Sequence, residues 1–425
     1  MALLRLYIKK TVLKSTGFPV EQTSMTVQPR LRVLRIFGRY REYGGEEAAA
    51  RRIHETLKPY MDAEWFESST DEMLGHSLAQ RVRAPFRAVH NERIAKELRR
   101  LQADKKFDAW EIHNIFPSLS PAVYAAGIRL GVPLIQYLHN YRMSCVNGMF
   151  LNHGKPCFRC IDGNFLPAIQ TICWRNSRLA CGFTGVALNR IRRLDIFRYV
   201  KAWIALSEAH KTLHVHMGIP EEKIHVVPHF FEIAENGVPA IREDGYALFL
   251  GRLSAEKGVA QLLEAWAYVK SPGARLVIAG KGPEEEKLRT LARDKGLSNV
   301  EFRGFVPAEG KNELWAGARF LVAPSIWEEP FGLVVLEAWA HGRAVLASNR
   351  GSFPEMIDSG GLLCSPDSST ELAGAIQKMF ESSDLVSNMA AAGQKHLWRN
   401  FGREIWVNRI RSVYESCGLT GMAPE

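Results

Sequence analysis

Strand and helix patterns alternate along most of the chain, and this alternation constrains the fold more than any other feature. Short apolar runs with strand character are each followed by a glycine-bearing loop and then by a helical pattern. Leu31 to Phe37 opens one such series and Tyr246 to Leu250 opens a second. Parallel strands joined by helices form doubly wound sheets. The sequence therefore predicts an α/β fold of two Rossmann-like, doubly wound domains that face a cleft.

The predicted domain organisation has four parts, because 425 residues suit two domains of ordinary size with short flanking segments. We expect an N-terminal extension over residues 1–30 and a first domain over 31–205, which carries a cysteine-rich loop at 141–182. A second domain then covers 206–400, and a C-terminal helix and tail cover 401–425.

Charge is distributed unevenly between the two halves. Residues 1–200 carry a net charge of +14 and residues 201–425 carry −4. A basic half favours an anionic partner, such as a lipid-linked glycan or an anionic membrane surface, although a solvated surface has the same composition. No nucleic-acid-binding motif accompanies the charge, so we expect no nucleic-acid partner.

The sequence contains no apolar run of the roughly 20 residues that a membrane-spanning helix needs. Lys9, Lys10 and Lys14 interrupt the apolar stretch at the N-terminus, which argues against a secretory signal. We therefore expect a cytoplasmic protein, with peripheral contact at the inner face of the membrane left open. Residues 1–24 are either a short amphipathic helix on that membrane or a loosely held extension.

Ligands of open parallel sheets bind at the carboxyl ends of the strands, so the loops after the strands are the candidate sites. The loop Gly251 to Gly258 carries Arg252 and Lys257 just before a helix. Two cations together with free helix N–H groups suit a diphosphate. Taken alone, the same pair of cations is also compatible with an ordinary charged loop.

A second loop, after the strand 319–323, places two glutamates eight residues apart at Glu329 and Glu337. Gly332 and Leu333 lie at the start of the following helix, where backbone N–H groups can meet phosphate oxygens. Both carboxylates could accept sugar hydroxyls. A third candidate is His139, which follows the apolar strand 132–138 and is expected to face the cleft; a hydrogen-bonded histidine at a strand end is the alternative.

Together these loops resemble the retaining glycosyltransferases of the GT-B architecture, known as group 1 or family 4. The resemblance runs from about Leu31 to about Tyr414. The matching residues are Gly44-Gly45-Glu46, His139-Asn140, Gly251-Arg252-Leu253-Ser254 with Lys257-Gly258, Gly280-Lys281-Gly282-Pro283, Phe302-Arg303-Gly304-Phe305, and Glu329-Pro330-Phe331-Gly332-Leu333-Val334 with Glu337.

The resemblance implies a role for each of these residues. Arg252 and Lys257 would grip the donor diphosphate, Glu329 would hold the transferred sugar, and His139 would contact that sugar from the first domain. Donor binding would further involve Gly45, Phe331, Gly332 and Leu333, with Glu337 at the donor ribose and Arg303 beside the nucleobase. The segment 401–414 resembles a final helix that crosses back onto the first domain. No Asp-x-Asp motif is present, so we expect a nucleotide-sugar donor and no catalytic metal cofactor.

Four cysteines cluster in the first half at Cys145, Cys157, Cys160 and Cys173. The pair Cys157-x₂-Cys160 has the spacing of zinc ligands, so a structural zinc site is one interpretation. The second close pair of a usual zinc site is missing, and free buried thiols are the alternative.

The sequence thus favours a metal-independent transferase that moves a hexose from a nucleotide sugar to a glycan or lipid-linked acceptor, as in the synthesis of bacterial surface polysaccharides. Two alternatives remain at this point. One is a catalytically silent sugar-binding relative, and the other is a different GT-B enzyme such as a nucleotide-sugar epimerase.

Overall fold

The computed structural model describes residues 29–41, 44–232 and 239–424. The predicted N-terminal extension, including the candidate amphipathic segment 1–24, falls almost wholly outside the described residues. The strands are β1 (Arg32–Arg39), β2 (Asp62–Ser69), β3 (Ala109–Asn114), β4 (Leu134–Tyr137), β5 (Leu151–Asn152), β6 (Lys155–Pro156), β7 (Ala202–Ala205), β8 (Ile224–Val226), β9 (Tyr246–Leu250), β10 (Leu276–Ala279), β11 (Val300–Gly304), β12 (Ala318–Ala323), β13 (Ala344–Ser348) and β14 (Gly361–Cys364).

Helices connect almost all of these strands. They are α1 (Gly45–Leu57), α2 (Thr70–Leu74), α3 (Leu78–Val89), α4 (Glu92–Lys105), α5 (Ala122–Leu130), α6 (Leu166–Gln170), α7 (Arg178–Arg193), α8 (Ile196–Tyr199), α9 (Glu208–His216), α10 (Val259–Trp266), α11 (Glu285–Asp294), α12 (Ala308–Gly317), α13 (Leu333–Ala340), α14 (Phe353–Ile357), α15 (Ser369–Glu381), α16 (Ser383–Asn400) and α17 (Arg403–Ser416).

The strands form two six-stranded parallel sheets, which confirms the predicted α/β fold. The first sheet has the order β2-β1-β3-β4-β7-β8, and the second has the order β11-β10-β9-β12-β13-β14. The central strands β3, β4, β9 and β12 are almost wholly buried, as expected for sheets covered by helices on both sides, although β3 also carries Glu111, His113 and Asn114. The order of the second sheet reverses between β9 and β12. That reversal creates a crevice at the carboxyl ends of these two strands, where α/β sheets bind ligands.

The boundary predicted at residue 205 is too early for the first sheet. Strand β8 pairs in parallel with β7, with Trp203 opposite Ile224 and Ala205 opposite Val226. Residues 206–226, which the sequence analysis assigned to the second domain, therefore complete the first one. The physical reason is that β8 has only three residues and lacks the apolar length that marks a strand in the sequence.

Helix α17 packs on the first domain rather than the second. Trp406, Ile410 and Tyr414 are buried in one apolar cluster with Leu31 and Ile135. The Tyr414 hydroxyl donates to Glu111 of β3 in the centre of the first sheet. The C-terminal segment therefore lies against the first domain after the second domain is complete.

Candidate functional site

The loops after β9 and β12 lie against each other at the crevice of the second sheet. The Ile326 N–H donates to the carbonyl of Glu256 at 2.9 Å. Gly258 has φ +71°, and a β-carbon at this position would lie 1.9 Å from the Pro324 carbonyl oxygen. Only glycine permits this approach, which brings the two predicted donor-binding loops together.

Lys257 and Glu329, from these two loops, form an ion pair. The ammonium nitrogen of Lys257 lies 2.8 and 3.1 Å from the two carboxylate oxygens of Glu329. The carboxylate also accepts from Ser325 Oγ and Trp327 Nε1, both at 2.9 Å. The Glu329 side chain is only 8 % exposed. Three donors therefore fix a buried carboxylate beside a cation that can reach an incoming anion.

Helix α13 begins beside this ion pair. Gly332 is its N-cap with φ +86°, and a β-carbon here would lie 2.3 Å from the ring of Phe353. The N-terminus of α13 therefore opens at the crevice with Leu333 as its first residue, next to the buried ring of Phe331. Arg252 is exposed on the loop after β9. The structure thus gathers six of the predicted residues around one crevice.

Glu337 and Arg303, the predicted ribose and nucleobase contacts, have protein partners in this structure. The Glu337 carboxylate accepts from Lys311 at 2.9 Å and from Trp315 Nε1 at 3.0 Å. Arg303 is exposed on β11 and pairs with Glu301 two residues before it. A ribose at Glu337 would have to share that carboxylate with Lys311, a residue that the sequence analysis did not single out.

His139 belongs to a buried hydrogen-bonded row in the first domain. Its Nε2 atom lies 3.0 Å from Nδ1 of His113, and Nε2 of His113 lies 2.9 Å from Glu111. Arg35 donates to the same Glu111 oxygen at 2.7 Å. Burial alone would raise the pKa of Glu111, but Arg35 and the hydrogen bonds from His113 and Tyr414 hold it well below the usual value. The buried Glu111 carboxylate is therefore linked to His139 through one intervening side chain, that of His113.

Gly45 is the first residue of α1, on the same side of the first domain as His139 and Asn140. The neighbouring Glu46 accepts from Asn140 Nδ2 at 3.1 Å. Burial raises the pKa of Glu46 to about 7, although Arg142 and the Asn140 hydrogen bond act in the opposite direction. A carboxylic acid that titrates near neutrality at the cleft is a candidate proton carrier.

Side chains from both domains meet across the cleft. The carboxylate of Glu355, on α14, accepts from the Glu208 N–H at 2.8 Å at the start of α9. Tyr141 and Trp327 contact edge to face, with ring centroids 6.3 Å apart. His229 lies between His139, at 6.1 Å, and Phe331, at 5.4 Å. Sequence reasoning missed Glu355, Tyr141 and His229, which join the predicted residues of the two domains.

The four clustered cysteines line one small cavity in the loop that follows Asn140. Within the described residues, no group of three or more His, Cys, Asp or Glu side chains is placed to hold a metal ion. The Cys145 thiol donates to Asn147 Oδ1 at 3.0 Å, and burial raises the pKa of Cys160 to about 11 and of Cys173 to about 12. This geometry does not support the predicted structural zinc, because zinc needs three or four ligands directed at one point and the described residues do not provide such a group.

No helix in the described parts of the chain combines the length and apolarity needed to cross a bilayer.

Two family models match the chain in sequence. The model described as Glycosyltransferase Family 4 matches residues 67–235, and the model described as Glycosyl transferases group 1 matches residues 232–396. A phosphatidyl-myo-inositol mannosyltransferase of Mycobacterium leprae is 32% identical over 179 residues, which cover 41% of this chain and 47% of that protein. The chain thus matches about half the length of its curated relatives.

Solved structures share the architecture of both domains. Sucrose-phosphate synthase from Thermosynechococcus elongatus superposes with a TM-score of 0.67 at 17% identity, covering 91% of this chain and 98% of that one. The Anabaena protein HepE, in complex with UDP and glucose, gives a TM-score of 0.64 at 19% identity, covering 91% and 100%. At these identities the likeness establishes the fold, which is GT-B.

Proposed function

Since the chain belongs to the group 1 and family 4 glycosyltransferases, we propose that it transfers a hexose from a nucleotide-diphosphate sugar to a glycan or lipid-linked acceptor, with retention of anomeric configuration. The observation that carries the proposal is the Lys257–Glu329 ion pair at the crevice of the second sheet. It combines a cation for the leaving diphosphate with a rigid carboxylate for the sugar.

Departure of the diphosphate builds negative charge on its oxygens and positive character on the sugar. Arg252 and the N-terminal N–H groups of α13 would stabilise the leaving group from the crevice of the second sheet, and Lys257 would join them when the diphosphate arrives. Preorganised donors of this kind supply the largest share of many enzymic rate enhancements. These cations would perform the task of a divalent metal ion, so the proposed reaction is metal-independent.

Glu329 would accept hydrogen bonds from hydroxyls of the transferred sugar. An arriving diphosphate would draw the Lys257 ammonium toward its own oxygens and free carboxylate lone pairs for those hydroxyls. His139 would contact the sugar from the opposite domain, and Phe331 and Leu333 would shape its pocket. Glu337 would hold the ribose together with Lys311, and Arg303 would lie near the nucleobase.

The acceptor would enter on the side of the first domain, near Gly45 and Glu46. In front-face attack, the departing phosphate takes the proton of the acceptor hydroxyl, so no protein nucleophile is required. HepE was solved with UDP and glucose, and the M. leprae relative is named for mannosyl transfer to a phosphatidylinositol. The first supports a nucleotide-sugar donor, and the second supports an acceptor of the lipid-linked class, as found in surface polysaccharide synthesis.

The test is hydrolysis of a panel of nucleotide sugars by the purified protein, with EDTA present. We expect slow release of one nucleotide, with rate losses of roughly 10²–10³ in Arg252→Ala and Glu329→Ala. The exposed Glu313→Ala, on the same domain, is the matched control. Proton NMR of the freshly released sugar would show the donor's anomeric configuration if the reaction is retaining. Loss of turnover in EDTA would contradict metal independence, and thermal stabilisation by the panel without turnover would favour the silent sugar-binding relative.

A further inference from the structure

Helices α3 and α7 of the first domain pack against each other and expose apolar side chains. Leu78, Val82 and Phe86 follow one another at four-residue intervals on α3, so they share a face, and each is more than 60 % exposed. Leu179 and Val186 are exposed at seven-residue spacing on α7. The rings of Phe86 and Phe183 contact edge to face at 5.2 Å, which joins the two helices into one surface.

This concentration of apolar side chains is unusual for the molecule. Twelve large apolar residues are exposed within the described part of the chain, and five lie on α3 and α7. A sixth, Leu166, lies on α6, which packs against α7. Soluble proteins scatter such residues singly, whereas a contiguous group marks an interaction surface. We call these six residues, together with the exposed Arg81, Arg83, Arg175, Arg178 and Arg193, the helix-pair surface.

The charge of the helix-pair surface identifies its partner. Residues 73–91 and 163–194 contain no aspartate or glutamate. Arg81 and Arg83 are exposed on α3, and Arg175, Arg178 and Arg193 are exposed at the two ends of α7. Long arginine side chains beside apolar ones suit the boundary between acyl chains and anionic headgroups, because the guanidinium reaches phosphate while the stem stays in apolar surroundings.

We propose that the helix-pair surface docks the protein on a bilayer that contains anionic lipids. The apolar side chains enter the headgroup boundary and the arginines bind lipid phosphates. The segment 141–177, which contains β5, β6 and α6, links the strand end that carries His139 to α7 of this surface. Docking would therefore hold the acceptor side of the cleft near the membrane. The benefit of this placement rests on the proposed lipid-linked acceptor. The docking proposal itself is independent of the acceptor.

The test is co-sedimentation of the full chain with vesicles of phosphatidylcholine alone or mixed with phosphatidylglycerol. We expect binding to the mixed vesicles that weakens with salt. A variant with Leu78→Ser, Val82→Ser and Phe86→Ser should bind at least roughly tenfold more weakly, since each lost apolar contact changes the equilibrium by about that factor. Trp398→Ser, at an exposed apolar residue of the second domain, should bind like the unchanged protein. Arg81→Gln with Arg83→Gln should weaken binding and flatten its salt dependence.

The proposal is overturned if the mixed vesicles sediment without the protein, or if the α3 variant binds them as tightly as the unchanged protein. A concentration-dependent dimer that the α3 variant abolishes, with no vesicle binding, would assign the surface to self-association instead. Circular dichroism of each variant separates lost docking from misfolding. Donor hydrolysis in the absence of vesicles should be unaffected in the α3 variant, so failure of docking and failure of the proposed transferase activity give different results.

Discussion

Nδ1 of His113 lies 3.0 Å from Nε2 of His139, and this contact fixes which nitrogen of His139 carries the proton. Glu111 is an anion and only accepts, so Nε2 of His113 must donate to it. Burial lowers the pKa of His113 despite the raising effect of Glu111, so the ring is neutral and its Nδ1 is an acceptor. His139 must therefore donate through Nε2. Burial lowers its pKa as well, so its Nδ1 is a bare acceptor, suited to a sugar hydroxyl.

The first prediction is that His113 acts as a positioning residue through His139. His113→Leu removes the acceptor and should lower the rate of donor hydrolysis about tenfold, on the scale of one lost hydrogen bond. His113→Asn keeps an acceptor at the position of Nδ1 and should restore part of that rate. Binding of the nucleoside diphosphate should be equal in all three proteins, because the proposed site for the donor phosphates is in the other domain. Equal losses of rate and of diphosphate affinity would instead indicate general structural damage.

The second prediction concerns the Lys257–Glu329 pair. Lys257→Met should weaken diphosphate binding at least tenfold, whereas Glu329→Gln should mainly lower the hydrolysis rate, since the proposed role of Glu329 is to hold the sugar. Because the side chains are 2.8 Å apart, the double variant should lose less than the sum of the two single losses in free energy. Calorimetric binding and initial rates measure the two effects, with exposed Lys270→Met as the control. Additive losses would show that the two residues act independently.

The third prediction is that buried His214 makes the protein acid-sensitive. Burial lowers its pKa from 6.5 to about 4, although hydrogen bonds to backbone carbonyls act against this shift. Between these two values the unfolded chain binds more protons than the folded protein, so stability falls as the pH falls. The loss approaches about 3 kcal/mol at pH 4 for this residue alone.

His214→Gln should therefore flatten the dependence of unfolding free energy on pH between 6.5 and 4. The matched control is His216→Gln on the same helix, because His216 is exposed. Urea unfolding at several pH values measures both slopes. A slope that is as steep in His214→Gln as in the unchanged protein would show that His214 is not the source.

The fourth prediction has the opposite sign and concerns Glu46. Burial raises its pKa from 4.5 to about 7, so the folded protein binds more protons than the unfolded chain in this window. Stability contributed by Glu46 is therefore lost as the pH rises from 4.5 through 7. The melting temperature of Glu46→Gln should therefore rise relative to that of the unchanged protein as the pH increases over that range. Glu97→Gln, at an exposed glutamate of α4, is the control variant.

The sequence predicts the second domain more accurately than the first. Strand β9 matches its predicted bounds and helix α13 begins at Leu333 as predicted, because clear apolar and glycine signals mark these positions. Lys257 and Glu329 follow neighbouring strands of a parallel sheet, so topology alone brings their loops together. The strands of the first domain are harder to predict. For example, β2 carries Asp62, Glu64 and Glu67, and these charges obscure the apolar pattern of a strand.

Contacts between residues distant in the sequence are the part that single-sequence reasoning cannot supply. Nothing local indicates that Lys311 binds Glu337, or that His113 lies behind His139. The cysteine spacing suggested a metal site, but the fold packs the four thiols around a cavity without the geometry of one. Such outcomes depend on how helices and loops pack, and packing is decided by the whole chain.

The most direct test of the central claim is calorimetric binding of UDP and GDP, and of the corresponding nucleosides, in EDTA. We expect one diphosphate to bind and its nucleoside to bind at least roughly 100-fold more weakly, because charge-assisted contacts to the phosphates dominate. Arg252→Ala and Lys257→Met should each remove most of that difference, and Lys270→Met should leave it intact. Diphosphate binding that is absent, or equally tight in all of these variants, would contradict a donor site at the Lys257–Glu329 crevice.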